Sequence, residues 1–253
     1  MIKDYKGYLI DLDGTMYLGS KPIKEAGPFI ERLREAEVPF LFLTNNSTAS
    51  PADVVTKLSK MGVHGKAKEV YTSSLATVDY LNSKEGNQVY VIGESGLKQS
   101  IKDAGYEWNE ENPNFVVVGL DRSVTYEKFE IATLAIQKGA EFICTNEDRN
   151  IPTDKGMSPS AGALAAFLEY STNQKAKYIG KPEAIIMEKG IENLGLEKTE
   201  VAMIGDNYAT DILAGINNDI DTVLVFSGLT SPEQLKLKKK QPTHKISSLD
   251  DWR

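Results

Sequence analysis

The sequence predicts an α/β protein built on a doubly wound parallel sheet, because short apolar runs alternate with helical patterns along the chain. The runs are four or five residues long and almost continuously apolar, which is typical of parallel strands covered by helices on both faces. Near the two ends of the chain, these predicted strands are Gly7–Ile10, Pro39–Leu43, Val201–Ile204 and Thr222–Phe226. Two helical stripes lie between them, formed by Phe29, Ile30, Leu33 and Ala36 and by Ile185, Met187, Ile191 and Leu194.

The middle of the chain repeats this alternation and is predicted to form a second, smaller α/β domain. Its predicted strands and helices are Gln88–Ile92, Gly96–Ala104, Phe115–Val118, Tyr126–Gln137 and Glu141–Cys144. A block of about 100 residues is large enough to fold as a domain. We therefore expect a core made of residues 1–78 and 179–253, into which residues 79–178 are inserted.

The composition limits the class of protein. Of the 253 residues, 41% are hydrophobic and 26% are charged, which is ordinary for a globular chain. The formal net charge of −7 argues against binding to nucleic acid or to anionic membranes. The single cysteine, Cys144, cannot form an internal disulfide, and no apolar run is long enough to span a membrane. The start of the chain also lacks the pattern of a signal peptide, so we expect a cytoplasmic protein.

Polar side chains follow three of the predicted core strands, at the point where each strand ends. They are Asp11 and Asp13, Thr44, Asn45 and Asn46, and Asp206 and Asp211. In an open parallel sheet, ligands bind beyond the carboxyl ends of the strands, so we expect these side chains to line one crevice. Asp11 and Asp13 are two residues apart, which places both side chains on one side of an extended chain.

Several carboxylates in one crevice would raise each other's pKa unless a cation neutralised them. A few hard oxygen ligands with room for water favour Mg²⁺. Lys181, in the tripeptide Gly180-Lys181-Pro182, is expected near the start of a helix, where backbone N–H groups also favour anions. The pattern therefore predicts a site for Mg²⁺ and a phosphate dianion.

These residues resemble the four motifs of haloacid dehalogenase-type phosphatases. The matching segments are Asp11-Leu12-Asp13-Gly14-Thr15, Thr44-Asn45-Asn46, Lys181, and Gly205-Asp206-Asn207 with Asp211. The TNN form of the second motif, the GKP around the lysine and the block inserted between these two motifs resemble the NagD-like branch with its α/β cap. The resemblance covers the whole chain, and the combination of four motifs in this order is specific.

The resemblance implies a role for each matching residue in phosphate chemistry. Asp11 would be the nucleophile that forms an aspartyl-phosphate, and Asp13 would be the general acid and base. The phosphate would be bound by Thr44, Asn45, Asn46 and Lys181.

The resemblance also implies a set of metal ligands. Mg²⁺ would be held by the Asp11 carboxylate, the Asp13 carbonyl and Asp206. Asp211 and Asn207 would orient the groups around it. The family often has arginine where this chain has Asn207, a departure that does not touch the reacting groups.

The predicted cap contributes further candidates. Asn146 and Asp148 follow a predicted cap strand and resemble a pattern that faces the active site in NagD-like caps, so we expect them to influence substrate choice. A homo-oligomer formed through the cap is plausible for this branch.

The function implied is Mg²⁺-dependent hydrolysis of a small phosphorylated metabolite, with acid-sugar phosphates favoured. The alternative is a 5′-nucleotidase, whose cap would offer a stacking surface from Tyr90, Tyr106, Trp108 or Tyr126. A phosphotransferase or mutase also remains open, as does a regulatory module that binds phosphate without turnover.

Overall fold

The computed structural model describes residue 2, residues 4–153 and residues 155–253. The strands are β1 Gly7–Ile10, β2 Tyr17–Leu18, β3 Lys21–Pro22, β4 Phe40–Thr44, β5 Val70–Thr72, β6 Gln88–Ile92, β7 Glu107–Trp108, β8 Phe115–Val118, β9 Glu141–Cys144, β10 Asn150–Thr153, β11 Gly156–Pro159, β12 Lys177–Tyr178, β13 Val201–Gly205, β14 Asp221–Val225 and β15 His244–Ile246. The α-helices are α1 Ala26–Glu35, α2 Pro51–Lys60, α3 Ser73–Asn82, α4 Ser95–Asp103, α5 Tyr126–Gln137, α6 Ala161–Thr172, α7 Ala184–Leu194, α8 Leu213–Asn217 and α9 Pro232–Lys236.

The first compact unit comprises Met1–Thr44, Pro51–Tyr71 and Lys181–Arg253. Its six-stranded sheet has the order β15-β14-β13-β1-β4-β5, and β1 pairs in parallel with β13 on one side and with β4 on the other. All residues of β1, β4 and β13 are buried, as their continuous apolar sequences predict. The four predicted core strands are confirmed, with ends that differ by no more than one residue.

The register of the three central strands brings their carboxyl ends to one edge of the sheet. Ile10, the last residue of β1, pairs with Ile204 of β13 and with Phe42 of β4. Asp11 follows directly, and β13 and β4 end within two residues of those partners. The sheet thus creates the common edge that the sequence predicts.

Helix α7 packs on this sheet with a different stripe from the predicted one. Its buried residues are Ile186, Met187, Gly190 and Ile191, whereas Ile185 is only partly buried. A Cβ on Gly190 would lie 3.2 Å from a methyl carbon of Leu9, so the glycine permits close approach of helix and strand. The predicted stripe omitted two buried residues, Ile186 and Gly190, and a pattern that counts only large apolar residues cannot identify the glycine.

The second compact unit comprises Asn45–Ser50 and Thr72–Gly180. It has a five-stranded sheet in the order β12-β9-β8-β6-β7, in which all neighbouring strands are parallel, and a separate hairpin of β10 and β11. The three predicted strands of this region are confirmed, and Cys144 is buried in the apolar core. The domain limits expected at residues 79 and 178 remain a prediction.

The short strands at the edges of both sheets were not predicted from the sequence. β5, β7, β12 and β15 have only two or three residues each, too few to produce a recognisable pattern. Pairing with an adjacent, longer strand defines them.

In the described part of the chain, no helix is long and apolar enough to cross a membrane.

A buried tryptophan anchors the C-terminal segment to the first unit. The Trp252 side chain is 1% exposed, and its Nε1 donates a hydrogen bond of 3.0 Å to the hydroxyl of Tyr8. The Tyr8 hydroxyl donates in turn to the carbonyl of Ile2, also at 3.0 Å. This connection ties the end of the chain to the central strand β1.

We predict that Trp252→Ala lowers the free energy of unfolding by about 3–5 kcal/mol, because it removes a large buried side chain and leaves a cavity. The other tryptophan, Trp108, is 50% exposed and provides the control. Trp108→Ala should cost about 1 kcal/mol or less. Urea unfolding followed by circular dichroism measures both, and equal losses would contradict the packing role of Trp252.

Candidate active site

Three aspartates and one lysine meet at the carboxyl ends of the core strands. Asp11 follows β1, Asp206 follows β13 and Asp211 lies five residues further along; each has a carboxylate oxygen within 4.8 Å of the other two. The Lys181 Nζ donates to Asp11 Oδ1 at 2.6 Å and to Asp211 Oδ1 at 2.7 Å. All four side chains are buried, so these charges interact with little screening by water.

Burial and the neighbouring carboxylates both perturb the pKa values in this cluster. Burial raises the pKa of Asp11 well above its usual range, Asp211 raises it further, and Lys181 opposes both. Burial and Asp211 likewise raise the pKa of Asp206 to about 7. Burial by itself would lower the pKa of Lys181, but Asp11 and Asp211 outweigh it and keep the ammonium charged. One ammonium faces three carboxylates, a set of hard oxygen ligands that fits a divalent cation.

The loop that follows β14 holds the Asp206 carboxylate through a backbone hydrogen bond. The Leu229 N–H donates to Asp206 Oδ2 at 2.6 Å, and the Ser227 hydroxyl donates to the Gly14 carbonyl at 2.6 Å. A Cβ on Gly228 or on Gly14 would collide with the Asp206 carboxylate. Gly14 also has a φ of +96°, which favours glycine.

Thr15 and this loop border the cluster, although neither was predicted from the sequence to have a role there. The Thr15 hydroxyl is buried, 3.4 Å from Asp11 Oδ2 and 3.5 Å from Asp206 Oδ1. Ser227 comes two residues after β14, so its place at the end of a core strand was an available signal. A polar side chain after a fourth parallel strand is expected at the same edge as the other three.

Asp211 is held by a five-residue π-helical turn, Tyr208–Ile212, that leads into α8. The Asn207 N–H donates to Asp211 Oδ2 at 3.0 Å, while the Asn207 side-chain oxygen accepts from the Ala209 N–H. Asn207 therefore begins the turn and fixes one oxygen of Asp211, and the other oxygen accepts from Lys181. An insertion of this kind in a helix is common at functional sites, because it re-aims a side chain.

Asp13 and Thr44 occupy different environments within the first unit. The Asp13 side chain is exposed, and its Oδ1 accepts from the Gly19 N–H at 3.4 Å. Thr44, the last residue of β4, is buried. The Asp13 carboxylate is therefore not part of the buried cluster. The strands on either side of β1 do carry buried polar side chains at their ends, Thr44 on β4 and Asp206 after β13.

The remaining candidates lie in the second unit, where three of them form a hydrogen-bonded group. The Asn45 amide donates to Asp148 Oδ2 at 3.1 Å, and the Asn146 amide donates to the Asn45 carbonyl at 2.9 Å. The Asp148 N–H donates to the Asn146 side-chain oxygen at 3.1 Å. The exposed Asn46 uses its side-chain oxygen to hold the backbone and side chain of Thr48.

Comparisons with known proteins agree with this architecture. A family model described as haloacid dehalogenase-like hydrolase matches residues 8–107, and a related HAD-hydrolase-like model matches residues 178–252. The chain is 48% identical to the 5′-nucleotidase YutF of Bacillus subtilis over 252 residues, covering 99% of this chain and 98% of that protein. It is also 48% identical to an acid sugar phosphatase of Staphylococcus epidermidis over 251 residues, covering 98% and 97% of the two chains.

Solved structures extend the similarity to three dimensions. NagD from Escherichia coli K-12 superimposes with a TM-score of 0.93 at 31% identity and 97% coverage of both chains. A thermostable NPPase variant from Geobacillus stearothermophilus gives a TM-score of 0.94 at 46% identity and 99% coverage of both chains. The chain therefore belongs to the haloacid dehalogenase-like hydrolases, and within them it is a NagD-like phosphatase.

We predict that Gly228→Ala lowers the rate of phosphomonoester hydrolysis by about 10²-fold, because the added methyl group displaces the Asp206 carboxylate. The measurement is release of p-nitrophenol from p-nitrophenyl phosphate, with thermal melting as the check that the variant is folded. A folded variant with wild-type turnover would contradict the positioning role of this loop.

Proposed function

We propose that this chain hydrolyses small phosphomonoesters through an aspartyl-phosphate on Asp11, and that acid-sugar phosphates are its preferred substrates. The observation that carries the proposal is the buried Asp11 carboxylate, paired with Lys181 inside a cluster of acidic groups. The name of the Staphylococcus epidermidis relative, acid sugar phosphatase, supports the choice of substrate.

In the proposed first step, a carboxylate oxygen of Asp11 attacks phosphorus and the bond from phosphorus to the leaving oxygen breaks. Asp13 donates a proton to that oxygen, so that a neutral alcohol departs. Water then attacks the phosphorus of the aspartyl-phosphate while Asp13 accepts its proton, which releases phosphate and regenerates Asp11. An exposed carboxyl group such as Asp13 is well suited to exchange protons with a leaving group and with water.

Phosphate binding is assigned to Thr44, Asn45, Asn46 and Lys181. Lys181 brings a charged ammonium to the nucleophile and reduces the repulsion between the Asp11 carboxylate and a phosphate dianion. The group formed by Asn45, Asn146 and Asp148 supports a positioning role for the two predicted cap residues, because Asp148 and Asn146 both bind Asn45.

The cation proposed for the cluster is Mg²⁺. Asp11, Asp206 and the Asp13 carbonyl would hold it, while Asp211 and Asn207 would orient the surrounding groups. When bound, Mg²⁺ offsets the negative charge on the transferring phosphoryl group. Its fit rests on the chemistry of the donor set, since three buried carboxylates have oxygens within 4.8 Å of one another, and their burial and mutual repulsion raise the pKa values of Asp11 and Asp206.

We also propose where the enzyme acts, on what kind of molecule, and which segment forms its cap. We place it in the cytoplasm, acting on a small phosphorylated metabolite rather than on nucleic acid or a membrane. The segment 79–178 would serve as the cap, and a homo-oligomer formed through it remains an expectation of the sequence.

A 5′-nucleotidase is the second candidate, favoured by the exposure of two aromatic side chains in the second unit. Trp108 is 50% and Tyr126 is 76% exposed, so both offer ring surface for stacking. Tyr90 is buried in the core and Tyr106 is half-buried, so neither serves this purpose as well. The name of the Bacillus subtilis relative, 5′-nucleotidase YutF, points the same way.

We predict that the wild-type protein releases inorganic phosphate from sugar-acid phosphates with a higher kcat/KM than from nucleoside monophosphates, and that Asp11→Asn abolishes both activities. The amide of asparagine is a poor nucleophile, so no phosphoryl-enzyme forms. Phosphate release across a substrate panel, with and without Mg²⁺, measures this. Turnover by Asp11→Asn would refute the assignment of the nucleophile, and a preference for nucleotides would select the second candidate.

We predict that Mg²⁺ raises the melting temperature more at about pH 8 than at about pH 5.5. The pKa of Asp206 is raised to about 7 in the folded protein, above its usual value of about 3.9 in an unfolded chain. This group therefore stabilises the metal-free fold below pH 4, and its contribution is lost as the pH rises through 7. Protons compete with Mg²⁺ at the lower pH, so binding is weaker there.

Thermal melting in chelator and in Mg²⁺ at the two pH values measures this effect. Asp206→Asn provides the control, because it removes a ligand and most of the pH dependence together. A Mg²⁺ shift that is equal or larger at about pH 5.5 would show that the ion binds elsewhere.

A further inference from the structure

A lysine outside the carboxylate cluster lies beside the loop that carries Asp13. Lys57 is on α2 and is half-buried, and its Nζ is 3.7 Å from the centroid of the Tyr17 ring. Tyr17 is buried and is joined to this loop, because its carbonyl accepts from the Gly14 N–H at 2.6 Å and it forms a bridge with Asp13. The Tyr17 ring thus supports the lysine next to the proposed general acid.

Lys57 and Tyr17 both interact electrostatically with Asp13, and Tyr17 also interacts with Asp11. Burial lowers the pKa of the Lys57 ammonium, and the Asp13 carboxylate acts in the opposite direction. Burial raises the pKa of Tyr17, and Asp13 and then Asp11 raise it further. Cation–π contact of this kind stabilises a charged ammonium.

The charge of Lys57 is not consumed by an ion pair. Among the residues that the structure describes, no carboxylate lies within 4.0 Å of its Nζ, in contrast to Lys181 with its two partners. A half-buried ammonium supported by a ring and lacking a carboxylate partner is ready to bind an anion.

The position of Lys57 indicates which part of a substrate it would meet. Lys181 contacts the nucleophile Asp11, so it acts on the phosphoryl group. Asp13 protonates the leaving oxygen in the proposed reaction, so a cation beside Asp13 is nearer to the leaving group than to the side of phosphorus that Asp11 attacks. A negative charge on the leaving group would therefore be attracted to Lys57.

We propose that Lys57, supported by the Tyr17 ring, binds a carboxylate on the leaving group and makes the enzyme prefer phosphorylated acids over the corresponding neutral alcohols. This role rests on the proposed phosphatase function and assigns its substrate class to a particular side chain. It also explains why the first unit carries a second lysine beside the motif of Asp11 and Asp13.

The test compares two substrates that differ at one terminal group, an aldonic acid 6-phosphate with a carboxylate and the corresponding alditol 6-phosphate with a neutral hydroxymethyl group. Lys57→Met keeps the apolar packing of the side chain and removes its charge. We expect the ratio of the two kcat/KM values, acid over alcohol, to fall about fivefold, with most of the change in KM. Lys57→Arg keeps the charge and should retain most of the preference.

Lys60→Met is the matched control, because Lys60 is exposed on the same helix and its loss changes the net charge equally. A ratio that is unchanged in Lys57→Met, or that falls as much in Lys60→Met, would overturn the role of Lys57 and leave the phosphatase function standing. A wild-type protein that releases phosphate from neither substrate, nor from p-nitrophenyl phosphate, would instead refute the proposed function and this role with it.

Discussion

The site depends on one electrostatic constraint, which is that three buried carboxylates lie close together beside the ammonium of Lys181. Lys181 binds Asp11 and Asp211 at 2.6 and 2.7 Å, and Asp206 is left without a cationic partner at that distance among the described residues. Such an arrangement is costly for folding, because buried charge must be paired or neutralised. In the proposed reaction it is useful for phosphoryl transfer, because the excess of carboxylates favours a divalent cation beside the proposed nucleophile Asp11.

The backbone meets this constraint with small residues and short turns. Gly14 and Gly228 leave room for the Asp206 carboxylate, the Leu229 N–H binds one of its oxygens, and a π-helical turn aims Asp211 at Lys181. None of these features contributes much apolar burial. They hold the charged groups in place through hydrogen bonds. Catalysis by a carboxylate requires such exact positioning.

The chain passes between the two units next to residues that are proposed to bind phosphate. The chain crosses four times, after Thr44, Ser50, Tyr71 and Gly180, and the first and last crossings are followed by Asn45 and Lys181, which are proposed to bind phosphate. In the second unit, Asn45 is held by Asn146 and Asp148. One residue proposed to bind phosphate is thereby held by two residues of the predicted cap.

The sequence by itself determined the sheet class, the central strands and the four motifs. Buried parallel strands and the polar residues that follow them form patterns within short stretches of sequence, so they can be recognised without the tertiary structure. Only the tertiary structure decided that Asp211 shares Lys181 with Asp11, that Thr15 and the loop of Ser227 and Leu229 border the cluster, and that Lys57 lies on Tyr17 beside Asp13. These contacts join residues between 23 and 213 positions apart, and that of Asp211 also depends on a π-helical turn, which no spacing in the sequence encodes. Short edge strands and the glycine in the α7 stripe were missed for the same reason, since their neighbours define them.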